Sequence, residues 1–581
     1  MTDAAAGGPP GSAGLPETLY RWRWVALMVI LAGEIMDMLD ALITTIASPS
    51  IRSDLGGTAA TIQWLAAGYT LAMAVGLITG GRLGDLYGRK RMFVIGAAGF
   101  TVGSLLCGVA ASPGMLVGAR VLQGLFGSVM LPQGIGMIRR MFDEKEMGTA
   151  FGLFGPIMGL SSIGGPVLAG WLVDADLFGT GWRMIFLINL PLGIAAVVAG
   201  LIFLPGGRST EATRLDLLGA VLAGGGAALL VYPLVQGREL GWPAWTFAMI
   251  AAAVAVFGAF GWYQARRQRT GRDPLITPSL FRKRGFVGGL VVGIVFFSAM
   301  TGFALTISLY IQMGLGYSPL KAGLSQIPWS LGMIVGFGLA QAVQRFGRHV
   351  LQAGTVIMAG GVVGVVVTLK TAGIGVTPWQ LSPALVVTGL GMGLLMAPFF
   401  GIVMASVDQH ETGSAGGTMT AVQQLGSSLG AAVLGTIFFG LLATGVATAA
   451  AHDSGSVKAR LAAVSVGSAD AGRVSDALRA CGRDRASTED AAAVPASCVR
   501  LEQATRAAAG TSTDPAAVSR IVGEAGKHSA ARGFSDAMIT TLWVVVGMLG
   551  LTLVTTFLLP MHARPEDAEE DAAPAAVPAS A

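Results

Sequence analysis

The chain contains 581 residues, of which 53% are apolar and only 12% are charged. Soluble domains are about 45–50% apolar and about 25% charged, so these proportions exclude an ordinary soluble enzyme. They also exclude a disordered chain, because disorder requires low hydrophobicity. The composition predicts an all-α integral membrane protein whose surroundings are a lipid bilayer. The net charge is +5. We attribute it to Lys and Arg residues concentrated on one side of the membrane, and not to a nucleic-acid partner.

Apolar runs of about 20 residues predict membrane helices, because that length of helix crosses the hydrocarbon core of a bilayer. Fourteen such runs occur, and most are joined by short segments, so that neighbouring helices must be antiparallel. The predicted spans are 22–46, 61–81, 92–111, 115–138, 148–173, 184–205, 215–236, 243–264, 286–313, 322–343, 350–369, 381–407, 413–445 and 537–561.

The distribution of Lys and Arg predicts which side of the membrane each segment faces. With the N-terminus placed inside, the inner segments carry 21 Lys and Arg residues and the short outer loops carry 5. Cytoplasmic loops are enriched in these residues, so both termini are predicted to be cytoplasmic. The outer segment 446–536 is long, and long translocated segments are exempt from this rule. Its cysteines, Cys481 and Cys498, would face an oxidising compartment, but their spacing leaves open whether they pair.

An internal repeat recurs at an offset of 266 residues. The segment GSVMLP at 127–132 is echoed by GLLMAP at 393–398, and SSIGGPVL at 161–168 by SSLGAAVL at 427–434. Paired halves are typical of alternating-access transporters, which bind substrate between the halves. The repeat predicts two six-helix bundles with two inserted helices. The predicted segments are a disordered tail (1–20), a first bundle (21–205), the linker helices with their connectors (206–285), helices 9–13 (286–445), the outer loop (446–536), helix 14 (537–561) and a disordered tail (562–581).

Ionisable residues lie inside two predicted spans: Glu34, Asp37 and Asp40 in the first, and Arg120 in the fourth. A charge in the bilayer is costly, so it faces a cavity or a partner. Helical geometry places the three acids on one stripe and puts Asp40 and Arg120 at similar depth. We predict that these two residues contact each other, that Glu34 or Asp37 lines a central cavity, and that the acids hold at least one proton. Such a group can exchange a proton for a substrate; the alternative is a fixed charge pair that only orders the bundle. Val386 occupies the position of Arg120 in the second half.

A glycine-rich basic loop, GGRLGDLYGRKR at 80–91, joins the second and third spans on the predicted inner side. Its glycines allow tight turns and close helix approach, and Asp85 lies beside four cations. This pattern predicts an ion-pair latch at a cytoplasmic gate; the alternative is a basic loop that only sets topology. The predicted gate residues are Gly81, Gly84, Asp85, Gly88, Arg89, Lys90 and Arg91.

The loop at 80–91 resembles the signature loop of the major facilitator superfamily. The segment RVLQG at 120–124 resembles the fourth-helix signature of its proton-coupled members. The fifth-helix signature of its antiporters is similar to Gly164, Gly165, Pro166 and Gly170. The segments LD at 39–40 with IASP at 46–49, and WRMIF at 182–186 with INLPLG at 188–193, resemble the branch of fourteen-helix drug:proton antiporters.

This resemblance implies a multidrug efflux transporter of the bacterial plasma membrane. Such a protein exports amphipathic, often cationic drugs or antibiotics in exchange for protons, by alternating access. The resemblance also implies small-molecule and proton partners, a monomer, and no cofactor beyond the proton gradient. Two alternatives stay open: an exporter dedicated to one endogenous metabolite, and a solute:proton symporter on the same fold.

Other patterns do not indicate an enzyme or a metal site. The GxSxG pattern at 426–430 lies within a predicted membrane helix, where small residues serve close packing. The five histidines lie in predicted loops or tails, and no P-loop pattern occurs in the sequence. Asp408 and Glu411 precede the thirteenth span, and we expect them to stabilise its N-terminus.

Overall fold

A computed structural model describes residues 20–143, 146, 150, 153–206, 215–408, 411–487 and 494–561. The predicted tails lie outside these ranges, apart from Tyr20. The regular structure within them is helical. The principal helices are α1 (Arg23–Leu55), α2 (Ala59–Tyr87), α3 (Arg89–Gly108), α4 (Pro113–Met141), α5 (Phe154–Asp174), α6 (Asn189–Phe203), α7 (Leu217–Gln236), α8 (Ala244–Arg269), α9 (Arg284–Leu309), α10 (Ile327–Val343), α11 (Arg348–Ala372), α12 (Pro378–Met404), α13 (Thr412–His452), α14 (Ser454–Ala463), α15 (Ser468–Ser487), α16 (Ala496–Thr511) and α17 (Pro515–Thr556).

Short helical segments complete several of these elements. The helices Met184–Leu187 and Pro319–Leu324 lead into α6 and α10, and a π-helical turn, Tyr310–Gly314, follows α9. Single 3₁₀ turns lie at Leu177–Gly179, Gly181–Arg183, Pro278–Arg282, Gln344–Phe346 and Gly373–Gly375.

Twelve helical segments of the described chain are long and apolar enough to cross a membrane: α2 to α4, α6 to α13, and α17. The other two predicted spans correspond to α1 and α5. Three acidic residues lower the hydropathy of α1, and several side chains at the start of α5 lie outside the described part. The all-α membrane architecture is therefore confirmed, while the count of fourteen spans stays a prediction.

The same helix packing recurs at positions related by the 266-residue offset. In the first half (α1 to α6), α4 packs against α2 and α3; in the second half (α9 to α13, with α17), α12 packs against α10 and α11. Glycines permit these close approaches. A Cβ atom at Gly96 would lie 2.7 Å from the backbone nitrogen of Met130, and one at Gly389 would lie 1.9 Å from the carbonyl oxygen of Trp329. Small residues thus let helix backbones touch in both halves.

The helices end at two opposite faces of the bundle. The basic face, as we call it, carries the connections at 80–91, 270–283 and 344–348, which are rich in Lys and Arg. The subdomain face carries α14 to α16. The inserted helices α7 and α8 pack against each other, and α7 also contacts α2 and α13.

Two seams join the halves, and both are closed near the subdomain face. In the seam between α2 and α13, the Thr436 hydroxyl donates to Gln63 Oε1 at 3.3 Å. In the seam between α5 and the short helix before α10, the Leu320 amide donates to Asp174 Oδ2 at 3.2 Å. The described halves therefore meet at the subdomain face.

The segment 446–536, whose fold the sequence left open, forms a helical subdomain. Helix α13 continues past the predicted boundary at 445 to His452, and α17 begins at Pro515, well before 537. Hydropathy marks only the membrane-embedded part of a helix, so these extensions escaped prediction. The subdomain has its own apolar core, which includes Val457, Leu461, Val474, Leu478, Val518 and Ile521.

A disulfide and an ion-pair cluster fix this subdomain. Cys481 and Cys498 are bonded, with their Cα atoms 4.5 Å apart, which joins α15 to α16. At its base, Asp453 accepts a hydrogen bond from His528 at 2.7 Å and another from Arg532 at 3.1 Å. These contacts tie the end of α13 to α17, so that the subdomain is held to the second half.

Candidate functional site

The carboxylate of Asp40 and the guanidinium of Arg120 form an ion pair between α1 and α4. Both side chains are buried, and each is only 1% exposed. The predicted contact is therefore present. A charge in such surroundings is stable only when it is paired and hydrogen-bonded.

Neutral polar side chains donate hydrogen bonds to the other oxygen of the Asp40 carboxylate. Its Oδ1 accepts hydrogen bonds from Gln123 Nε2 at 2.9 Å and Asn189 Nδ2 at 3.0 Å. Gln123 Oε1 in turn accepts from Arg120 at 2.7 Å, and Gln123 Nε2 also lies 2.7 Å from the Ser104 hydroxyl. Four helices, α1, α3, α4 and α6, thus converge on one buried carboxylate.

The Arg120 guanidinium also contacts a backbone carbonyl oxygen and two aromatic rings. Its Nε donates to the Leu65 carbonyl oxygen at 3.2 Å. The ring of Tyr69 lies 4.1 Å from the guanidinium carbon, and the ring of Phe186 lies 5.8 Å from it. An aromatic face attracts a cation, so these rings stabilise the charge where water is excluded.

The other two acids of α1 lie on the same side of the site. Asp37 is buried, and it accepts a hydrogen bond from the Tyr69 hydroxyl. Glu34 is half-buried, one turn nearer the basic face. Tyr69 thus contacts both Asp37 and Arg120, and it links the predicted residues into one network.

Sequence reasoning assigned no role to four members of this network: Tyr69, Ser104, Gln123 and Asn189. Each is a neutral polar residue in an apolar helix, and many such residues serve only packing. The only indication for Asn189 was that it lies in the segment 188–193, which resembles a family signature. That resemblance did not predict a role for the residue. Membrane-embedded polar residues are usually partnered, but the sequence does not say with what.

The predicted gate loop is ordered at the basic face. Asp85 accepts a hydrogen bond from Arg89 at 2.9 Å, so one of the four neighbouring cations pairs with it. Gly84 packs against the side chain of Gln133, whose Oε1 would lie 1.7 Å from a Cβ at this position. Gly88 has φ of +98°, a conformation that favours glycine, where α2 turns into α3. The other predicted members are more open: Gly81 and Lys90 are half-buried, and Arg91 is exposed.

The predicted antiporter signature lies on α5 beside the second half. A Cβ at Gly170 would lie 2.4 Å from Leu320 Cα, so the two backbones touch there. Gly165 faces Leu42 of α1, Gly164 has nothing within 4 Å of a Cβ position, and Pro166 lies inside the helix. Gly170 therefore belongs to the closed seam, whereas Gly165 packs within the first half.

Asp408 and Glu411, which precede α13, both form ion pairs with Lys283. Glu411 makes no capping hydrogen bond at α13; its carboxylate contacts Lys283 at 2.7 Å and the hydroxyl of Ser279. Asp408 also contacts Lys283, at 2.8 Å. Burial lowers the pKa of Lys283, but the hydrogen bonds to the two carboxylates more than offset this and raise it. A nearly buried carboxylate needs a counter-charge more than a helix end needs an acid.

Two paired helical halves, the first of which contains a buried charge pair, are the features of a membrane transport protein. The sequence model of the major facilitator superfamily matches residues 29–431, and the chain belongs to this family. It is 46% identical, over 96% of its length and 95% of the relative's, to the probable actinorhodin transporter of Streptomyces coelicolor. It is 35% identical to the tetracenomycin C resistance and export protein of Streptomyces glaucescens, over 74% of this chain and 78% of that protein. A solved bacterial homologue of the human lysosomal transporter Spinster, in an inward-facing conformation, shares the fold with a TM-score of 0.53 at 14% identity, covering 93% of this chain and 98% of that one.

Proposed function

We propose that this chain is a proton-coupled antiporter that exports small amphipathic antibiotics across a bacterial plasma membrane. The observation that carries the proposal is the Asp40–Arg120 pair, buried in a membrane bundle and confined to the first half. We further propose that α1 and α5 complete fourteen spans, that the basic face is cytoplasmic, and that both termini lie on that side. A single chain carries both halves, so a monomer suffices for alternating access.

The buried network supports a mechanism of proton exchange at Asp40. The ionised carboxylate holds Arg120 through a charge-assisted hydrogen bond. Protonation removes the negative charge, weakens that hold, and allows the guanidinium to move.

Asp37 and Glu34 support a route between this pair and the cavity. Asp37 is joined to the Arg120 environment through Tyr69, and Glu34 follows on the same stripe of α1 toward the basic face. In the proposed cycle, these acids carry the proton that a substrate displaces. Cationic substrates are attracted by the acidic stripe, and neutral amphipathic substrates by its apolar surroundings.

Closure at the subdomain face supports loading from the cytoplasm. Substrate enters from the basic face, binds between the halves and leaves after they rock. Asp85 and Arg89 are proposed to stabilise the closed basic face in the outward-facing state. A cytoplasmic entrance suits an exporter, whereas the symporter alternative is not favoured, because the relatives described above are named for transport, resistance and export.

A second candidate is an exporter dedicated to one endogenous metabolite. The favouring observation is that the 46% identical relative, which is named for a single compound, matches 96% of this chain. That coverage extends into the subdomain, whereas the relative at 35% identity aligns with 74% of the chain. A shared subdomain is expected where the transported compounds are also related.

The test is a panel of inhibitory concentrations in a host that lacks its own pumps, with and without an uncoupler. Resistance to several unrelated amphipathic compounds that disappears with the uncoupler supports the proposed antiporter. Resistance confined to one chemical series supports the dedicated exporter. Uncoupler-insensitive resistance, or accumulation in place of efflux, contradicts both.

A further inference from the structure

The inserted helix α8 is the least buried of the twelve membrane helices identified above. Only 11% of its apolar stretch is buried. Its buried residues include Ala253, Phe260 and Gln264, and it packs against α7. A helix that buries one narrow stripe presents its other faces to the surroundings, which are lipid for a membrane helix.

Trp262, Arg266 and Arg269 form one stripe on the exposed side of α8. At 3.6 residues per turn, positions i, i+4 and i+7 lie within about 60° of one another. The buried positions Phe260 and Gln264 lie about 160° away from Trp262 on either side. Trp262 is 64% exposed, and both arginines are exposed. The stripe therefore points away from the protein.

Three exposed residues at this end of α8 form what we call the arginine cluster: Arg266, Arg269 and Arg272. Arg272 lies in the turn that follows the helix, where its amide donates to the Arg267 carbonyl oxygen at 3.0 Å. Arg267 itself forms an ion pair with Asp216, at 3.3 Å. None of the three cluster residues forms an ion pair with a described acidic residue. Asp273, the adjoining acid in the sequence, offsets at most one of their three charges.

Trp262 marks the depth of the cluster in the membrane. Tryptophan is enriched where the bilayer meets water. Its ring lies 5.5 Å from the guanidinium carbon of Arg266, a distance at which an aromatic face attracts a cation. On the membrane side of Trp262, the same stripe continues with Ala251, Ala255 and Gly258, which are exposed. The stripe thus joins a cationic end to apolar surface with small side chains, along which an acyl chain can lie.

We propose that the arginine cluster binds the phosphate of an anionic phospholipid, whose acyl chains lie along the stripe of α8. Guanidinium groups bind phosphate through paired, charge-assisted hydrogen bonds. Basic residues beside a membrane helix attract anionic lipid head groups. A lipid is favoured over a free phosphate because only a lipid supplies both a phosphate and apolar chains. The bound lipid anchors the pair of inserted helices in the bilayer. This inference requires the membrane architecture and not the proposed transport.

The experiment measures bound phospholipid by native mass spectrometry of the purified protein in detergent. Phosphatidylglycerol is the anionic probe, and phosphatidylcholine, which has no net charge, is the reference. The test variant combines Arg266→Gln, Arg269→Gln and Arg272→Gln. The control variant removes the same charge from dispersed, exposed positions of the basic face: Arg21→Gln, Arg282→Gln and Arg345→Gln.

The test variant is expected to bind phosphatidylglycerol at least about tenfold more weakly, because each cation near an anionic surface contributes about a fivefold change in affinity. The control variant is expected to lose less than about threefold, and phosphatidylcholine binding is expected to be unchanged in both. An unchanged affinity in the test variant, or equal losses in the two variants, would overturn the proposed site. If the test variant does not fold, Arg269→Gln alone is compared with Arg345→Gln, and equal affinities are equally decisive against the site.

Inorganic phosphate separates a lipid site from a site for a free anion. In excess, it is expected to displace no more phosphatidylglycerol than sodium chloride does at the same ionic strength. Greater displacement would assign the cluster to a free anion and would overturn the lipid proposal. The measurement needs neither substrate nor a proton gradient, so failed export would refute the proposed function without altering this result.

Discussion

Replacement of Asp40 by asparagine tests the proposed proton exchange most directly. The two side chains have the same shape, so the packing of α1 against α4 is preserved. Asp40 accepts hydrogen bonds at one oxygen from Arg120 and at the other from Gln123 and Asn189. An asparagine offers only one acceptor atom, and its NH₂ group must face donors on the other side.

The cost follows from this geometry. Whichever way the amide is turned, the site loses either the hydrogen bond from Arg120 or those from Gln123 and Asn189, and each bond to a carboxylate is worth about 1.5–3 kcal/mol. Arg120 is also left without a counter-charge in a buried site, and breaking such a pair typically costs about 3–5 kcal/mol in total. At 1.4 kcal/mol per factor of ten, this corresponds to a loss of roughly 100-fold or more in any step that requires the intact pair.

The assay separates coupling from binding in proteoliposomes. Export of ethidium against its gradient, driven by a pH difference, is expected to fall about 100-fold in Asp40→Asn. Ethidium binding is expected to change by less than about threefold, because the pair lies beyond the proposed cavity. Asp54→Asn is the control: it is the same change in the same helix, at a side chain that is 49% exposed and paired with Arg183. If gradient-driven export by Asp40→Asn equalled that of this control, the reasoning on Asp40 would be refuted.

Three further predictions concern other parts of the structure. Gly170→Ala places a Cβ 2.4 Å from backbone atoms of the short helix before α10. Because overpacking costs about 1–3 kcal/mol, this variant is expected to export about tenfold more slowly, or slower still. The control is Gly118→Ala, whose Cβ would have nothing within 4 Å and which should export normally. Cys481→Ser is expected to destabilise the subdomain by about 3 kcal/mol, as measured by hydrogen exchange, with no change at the buried network. Burial raises the pKa of Asp453, but its hydrogen bond to His528 and the nearby positive charge more than offset this and lower the pKa. Its stabilising contribution is therefore present above about pH 4 and lost as the pH falls through the lowered value; in Asp453→Asn, the hydrogen exchange of the subdomain should lose this dependence.

The central contact of the site could be predicted because helix geometry is nearly invariant. A fixed rise per residue converts a position in the sequence into a depth in the membrane, which placed Asp40 level with Arg120. A buried charge also has few alternatives to a partner of opposite sign. Neither argument applies to Tyr69 or Asn189, because neutral polar groups can be satisfied in many ways, including by their own helix backbone.

The basic face and the subdomain were less predictable for a related reason. Contacts between connections depend on where distant helices begin and end, and Lys283 meets Glu411 only because α9 and α13 begin side by side. The subdomain escaped hydropathy analysis because its short amphipathic helices resemble those of a soluble protein. The pairing of Cys481 with Cys498 required the positions of α15 and α16, which spacing in the sequence does not supply.

The two halves share a fold but differ in chemistry, and the difference supports a division of labour. Val386 stands where the repeat would place a counterpart of Arg120, and it is 40% exposed, so no buried charge is carried at that position of α12. Helix α12 packs closely through glycines, as helices of the first half also do: a Cβ at Gly391 would lie 2.2 Å from the Met358 amide nitrogen, and one at Gly393 would lie 2.2 Å from the Met333 carbonyl oxygen. Backbone packed against backbone has little freedom to rearrange, so α10 to α12 are suited to move as one rigid unit. We therefore expect a proton bound at Asp40 to act within the first half, and we expect export to depend on how that half moves against the second half.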